Sequence, residues 1–138
     1  MITPRHDLTP LEIDWVEDRL YEFNVEATGH ADGMGLGFVV HDAEGAVAGM
    51  AAGYSWGGVS ELKQMWVRED LRGTGQGDAL LVSFIDEARS RGCAVLWVMT
   101  YDFQAPGFYR RHGFEPVAEL GPWPKGHKQY FLKLMLQR

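Results

Sequence analysis

Leu71–Leu80 reads LRGTGQGDAL. Glycines at 73, 75 and 77 follow an arginine and precede Leu80, Leu81, Phe84, Ile85 and Ala88, apolar residues at helical spacing. Glycine allows close backbone approach, and a helix N-terminus offers open amides with the positive end of the dipole behind them. The stretch therefore predicts an anion-binding turn that opens a helix, stopped at Gly92.

The elements on either side give this turn its setting. Thr9-Pro10-Leu11-Glu12 combines a capping threonine, a proline suited to the first helical position and a glutamate three after the cap. Ile13, Val16, Leu20 and Phe23 then make one apolar stripe, predicting a helix to about Val25 and a loop through ATGHADGMG. Leu36 to His41, Ala46 to Trp56 and Val59 to Val67 read as three strands of a meander, turned at DAEG and at Gly57-Gly58. After the central helix, Ala94 to Thr100 is a continuous apolar run, as in a strand covered on both faces. Pro106 to His112 predicts a short helix, and Phe114 to Leu120 and His127 to Leu136 two more strands, joined by GPWPKG.

Which phosphate the turn would take follows from what is missing. A nucleoside-triphosphate loop needs G-x-x-x-x-G-K-[ST], and no lysine follows these glycines. A dinucleotide turn needs G-x-G-x-x-G after a first strand and an acid roughly 20 residues on. Here the spacing is G-x-G-x-G behind a meander, and Leu96, Trp97 and Val98 occupy the later position.

What remains is R-x-x-G-x-G, Arg72 to Gly77, within VREDLRGTGQGDALL. This segment resembles the acyl-coenzyme A pyrophosphate loop of the GCN5-related N-acetyltransferase (GNAT) superfamily. About 30 residues on, DFQAPGFYRRHGFE resembles the same family's second signature through Asp102, Ala105, Tyr109, Gly113 and Phe114. The resemblance covers the chain from about residue 36 onward and agrees with the predicted element order.

The resemblance implies one N-acetyltransferase domain over residues 1–138, an α/β (α+β) fold with a mixed, mostly antiparallel sheet. In it the strands Val59 to Val67 and Ala94 to Thr100 run parallel and splay apart. Acetyl-CoA would be the acyl donor. Its pantetheine would lie between the splayed strands, along Met65, Trp66 and Val67. Its pyrophosphate would rest on backbone amides of Arg72, Gly73, Thr74, Gly75, Gln76 and Gly77, with Asp102 and Ala105 also at cofactor-binding positions of the motif. Asp102 departs from the family's usual asparagine; it would contact the cofactor, cap the short helix or turn outward.

Transfer to an amine requires that the amine lose a proton and the departing thiolate gain one. The resemblance places Tyr109 as the acid. Glu61, 11 residues before Arg72, stands at the offset of the catalytic glutamate in histone-type members. In an unbulged strand it shares a face with Lys63, Met65 and Val67. Ordered water is the alternative base. A backbone amide near Val67 would hold the developing oxyanion, and transfer would be direct, in a ternary complex.

Composition bounds the partners. The net charge of -6 argues against a nucleic-acid binder. Residues 1–70 hold 13 acids against 4 bases, and residues 71–138 hold 6 acids against 9 bases, a positive excess on the side where coenzyme A is expected. No run of about 18 apolar residues suggests a membrane span, and MITPRHDLTP lacks the apolar stretch of a secretory signal, so a cytoplasmic location is expected. One cysteine, Cys93, sits in an apolar run and reads as a buried hydrophobe. The five histidines show no HExxH or i, i+4 pair, so no metal site is expected.

For the acceptor, the acid-rich first half with Trp15, Tyr21, Tyr54 and Trp56 would suit a cationic amine. A small-molecule amine such as a cationic metabolite or amine antibiotic is the first expectation. The alternatives are a protein or peptide N-acetyltransferase and a non-catalytic acetyl-CoA sensor, and the family admits a homodimer.

Overall fold

The computed structural model describes residues 1–136. They form two compact units, Met1–Ala31 and the remainder from Asp32 onward. In the first, helix α1 (Pro10–Thr28) begins with the expected reciprocal cap: Glu12 N donates to Thr9 Oγ1 at 3.2 Å and Thr9 N to Glu12 Oε1 at 3.1 Å. The helix runs past Val25 because Thr28 Oγ1 bonds Asn24 O and Gly29, in the left-handed region, donates to Val25 O.

The second unit contains a six-stranded sheet: β1 (Met34–His41), β2 (Val47–Trp56), β3 (Val59–Val67), β4 (Val95–Tyr101), β5 (Glu115–Leu120) and β6 (Gln129–Met135). Their order across it is β1-β2-β3-β4-β6-β5. All neighbours are antiparallel except β3 and β4, whose parallel relation requires a crossover. Helix α2 (Gln76–Ser90) supplies it, and α3 (Pro106–Arg111) follows β4.

Leu80, Leu81, Phe84, Ile85 and Ala88 of α2 are buried with Leu62, Leu96, Val98 and Leu132 of the sheet in one apolar core. Arg91 ties the end of α2 to the sheet through Gly35 O and Ser55 Oγ, both at 3.0 Å, while pairing with Glu87. Cys93 is buried in this core, and burial pushes its thiol pKa up.

Two local features decide how the middle of the sheet is shaped. Gly57 and Gly58, both at positive φ, close the tight β2–β3 hairpin. Farther along the same pair, Ala52 faces Gln64 but Gly53 faces Leu62, which leaves Lys63 as an extra residue. A Cβ on Gly53 would lie 1.8 Å from Glu61 O, so the bulge depends on a residue without a side chain.

Candidate active site

Parallel pairing between β3 and β4 runs from Val59↔Val95 to Leu62↔Val98 and then stops. Beyond it, Lys63–Val67 and Met99–Tyr101 diverge with no strand between them. Such facing edges present backbone donors and acceptors to an extended ligand. A cavity of about 990 Å³ fills the divergence and reaches the glycine turn.

The turn is shaped as the sequence predicts. Gly73 and Gly75 adopt φ of 78° and 87°, left-handed values that favour glycine. Gly75 is the N-cap of α2, and no side chain caps the helix. The amides of its first turn are therefore available to an anion. Arg72 Nε donates to Val67 O at 3.0 Å, anchoring the turn to the end of β3, and Thr74 closes it through two hydrogen bonds to Leu71 O.

Nine of the predicted site residues line the cavity: Met65, Trp66, Val67, Arg72, Gly73, Gly75, Gly77, Ala105 and Tyr109. Thr74 and Gln76 belong to the turn and the start of α2. Tyr109 is 5% exposed, set edge-on between Phe108 and Phe114. Loss of solvent pushes its hydroxyl up to about 12. It therefore holds its proton at neutral pH, as a proton donor must.

Glu61 and Asp102 lie elsewhere. The extra residue Lys63 breaks strand alternation, so Glu61 does not share a face with Met65 and Val67. Glu61 sits across from Tyr54 and Trp97, 6% exposed and off the cavity wall. Asp102 neither caps α3 nor lines the cavity; it turns outward. Its Oδ2 accepts from Lys128 N at 3.1 Å and its Oδ1 is 3.0 Å from His127 Nδ1, fastening the end of β4 to the start of β6. His127 precedes β6 and takes part in that clasp.

Several wall residues carry no motif of their own. Phe108 and Arg111 stand on the same short helix as Tyr109, and Met99 and Thr100 continue β4 past its last pairing with β3. Asp78, an acid in the first turn of α2, is held by His112 Nε2 at 2.7 Å, with an Arg111 nitrogen at 3.9 Å. Gln104 Oε1 accepts from Tyr101 N at 2.8 Å, shaping the turn that carries Phe103 into the wall. Among the described residues no cluster of three or more His, Cys, Asp or Glu could hold a metal, and no helix is long and apolar enough to cross a membrane.

Comparison with known proteins agrees with this geometry. Residues 5–114 match the family model described as acetyltransferase (GNAT) family. The acetyltransferase Atu2258 of Agrobacterium fabrum is 29% identical over 118 residues, 86% of each chain. The blasticidin-S acetyltransferase of Streptomyces morookaense is 36% identical over 91 residues, 64% of this chain and 65% of its own. A crystal structure from Agrobacterium tumefaciens superposes with a TM-score of 0.87 at 27% identity, over 98% of this chain and 99% of that one. With that family match spanning most of its length, the chain belongs to the GNAT family and is an acetyltransferase.

Proposed function

We propose that the protein moves the acetyl group of acetyl-CoA to a primary amine of a small molecule, an amine-bearing metabolite or antibiotic, by direct transfer in a ternary complex. Acetyl-CoA is the donor that GNAT acetyltransferases use. The observation that carries the reading is one continuous cavity joining the glycine turn, the splayed edges of β3 and β4, and Tyr109. In it the diphosphate rests on the amides of Arg72–Gly77 and the pantetheine runs along Met65–Val67. The existence of a relative named for blasticidin-S supports a small-molecule acceptor over a peptide.

In the transfer the amine nitrogen bonds to the acyl carbon while the carbon–sulfur bond breaks. A backbone amide near Val67 holds the developing oxyanion, and Tyr109 gives a proton to the departing sulfur, then regains one from solvent, which receives in turn the proton removed from the amine. The protonated thiol and the acetylated amine are the products. Proton removal from the amine falls to Glu61 or to water; Glu61 can serve only from the sheet face opposite Met65 and Val67, through a relay. Cys93 stands outside the cavity, and its raised pKa makes it a poor acyl carrier, which favours direct transfer. Initial rates at varied donor and acceptor test this: intersecting double-reciprocal lines are expected, and parallel lines with an isolable acetyl-enzyme would refute it.

A further inference from the structure

The cavity wall comes from both faces of the sheet. Past the bulge, Met65 and Val67 pack against the core shared with α2, so Gln64 and Trp66 point to the opposite face. On β4, Val98 and Thr100 are buried on the α2 side and Met99 points away. All seven line the same cavity. The wedge is therefore open through the sheet, with the phosphate turn on the α2 side and a second mouth on the other.

That second mouth is apolar and solvent-exposed. Trp66, Met99 and Phe103 line it, at 47%, 40% and 57% exposure. Phe103 stacks on Tyr101, with ring centroids 5.1 Å apart and planes 8° from parallel, and Trp123 meets Tyr101 edge-on at 5.3 Å. The platform is thus braced before any ligand arrives. The charges on the wall do not favour a polycation. Among the described residues that line it, the one carboxylate, Asp78, lies at the phosphate end in contact with His112, and Lys63 is a cation.

We propose that the acceptor is a primary amine carried on a flat aromatic or heteroaromatic body. It enters through this second mouth and stacks on Phe103 beside Trp66, with its amine directed into the wedge. The proposal rests on the acetyltransfer reading above and adds the acceptor's class. A stack on a braced ring, with the area it buries, is worth roughly a tenfold gain in binding.

The test compares 2-phenylethylamine, 1-butylamine and putrescine as acceptors at saturating acetyl-CoA. The aryl amine should exceed both aliphatic amines in kcat/KM by roughly tenfold. Phe103→Ala should collapse that ratio towards one, and Phe103→Tyr should keep it. Trp66→Ala gives a second reading of the same ratio should Phe103→Ala fold poorly. Equal or better use of the aliphatic amines overturns the proposal and leaves the acetyltransfer reading standing. So does a Phe103→Ala variant that keeps the ratio and instead raises KM for acetyl-CoA. If coenzyme A raises the melting temperature and none of the three amines is acetylated, the small-amine reading falls and this proposal with it.

Discussion

Tyr109→Phe separates the physical claim about this residue from its chemical role. Burial pushes the hydroxyl up to about 12 from the ordinary value of 10.0. In the unfolded chain the phenol titrates near its ordinary value. Below pH 10 both states hold the proton, and the group adds no pH dependence. Between about pH 10 and 12 the unfolded chain releases a proton that the folded chain keeps, so stability falls as pH rises. Two units at 1.36 kcal/mol each set a total of about 3 kcal/mol, of which about 2 kcal/mol is lost by pH 11.5. Phenylalanine removes this pH dependence and leaves other titrating groups in place. Urea unfolding of both proteins at pH 9.5 and 11.5 should show the wild type losing about 2 kcal/mol more than the variant. Equal losses would refute the burial argument. At neutral pH the variant should bind coenzyme A nearly as well and turn over about 100-fold more slowly, the scale of a lost general acid. Unchanged turnover would remove Tyr109 from the proton path.

Other substitutions probe the wedge and its supports. Gly53→Ala drives a Cβ into the backbone carbonyl oxygen of Glu61, which cannot swing away as a side chain would, and should cost about 3 kcal/mol or more in chemical denaturation, whereas Gly35→Ala on β1, with nothing within 4 Å, should stay within about 1 kcal/mol. Similar costs at the two positions would mean the bulge is not fixed by that contact. Asp102→Ala removes the acceptor for Lys128 N and the partner of His127, and should destabilise by about 1–2 kcal/mol while KM for acetyl-CoA changes by no more than about twofold. A roughly tenfold rise in that KM would instead give Asp102 a cofactor contact.

What could be read in the sequence was what the chain writes locally. The Thr9–Glu12 cap, the Gly57-Gly58 turn, the limits of β3 and the opening of α2 behind Gly75 all depend on residues within a few positions of one another. The parallel β3–β4 pair and the place of Tyr109 came instead from two motifs and their spacing. The bulge was hidden because its cause sits on the neighbouring strand: Gly53 admits the close approach of Glu61, and no pattern within β3 marks Lys63 as the extra residue. Asp102 was ambiguous for the same reason, since its partners lie 25 and 26 residues later. Phe103 read as an ordinary apolar residue and Trp66 only as a cofactor-binding position beside the pantetheine, and only the two-faced wedge gives them a common mouth.

Binding of acetyl-CoA by the wedge and its glycine turn is read from the melting temperature, measured in parallel with acetyl-CoA, coenzyme A, NAD and ATP. A ligand at about 100 times its dissociation constant stabilises the folded state by about 2.7 kcal/mol. A rise of several degrees is expected with acetyl-CoA and coenzyme A, and a much smaller one with NAD or ATP. No shift with either coenzyme A form, or a larger one with NAD or ATP, would contradict it.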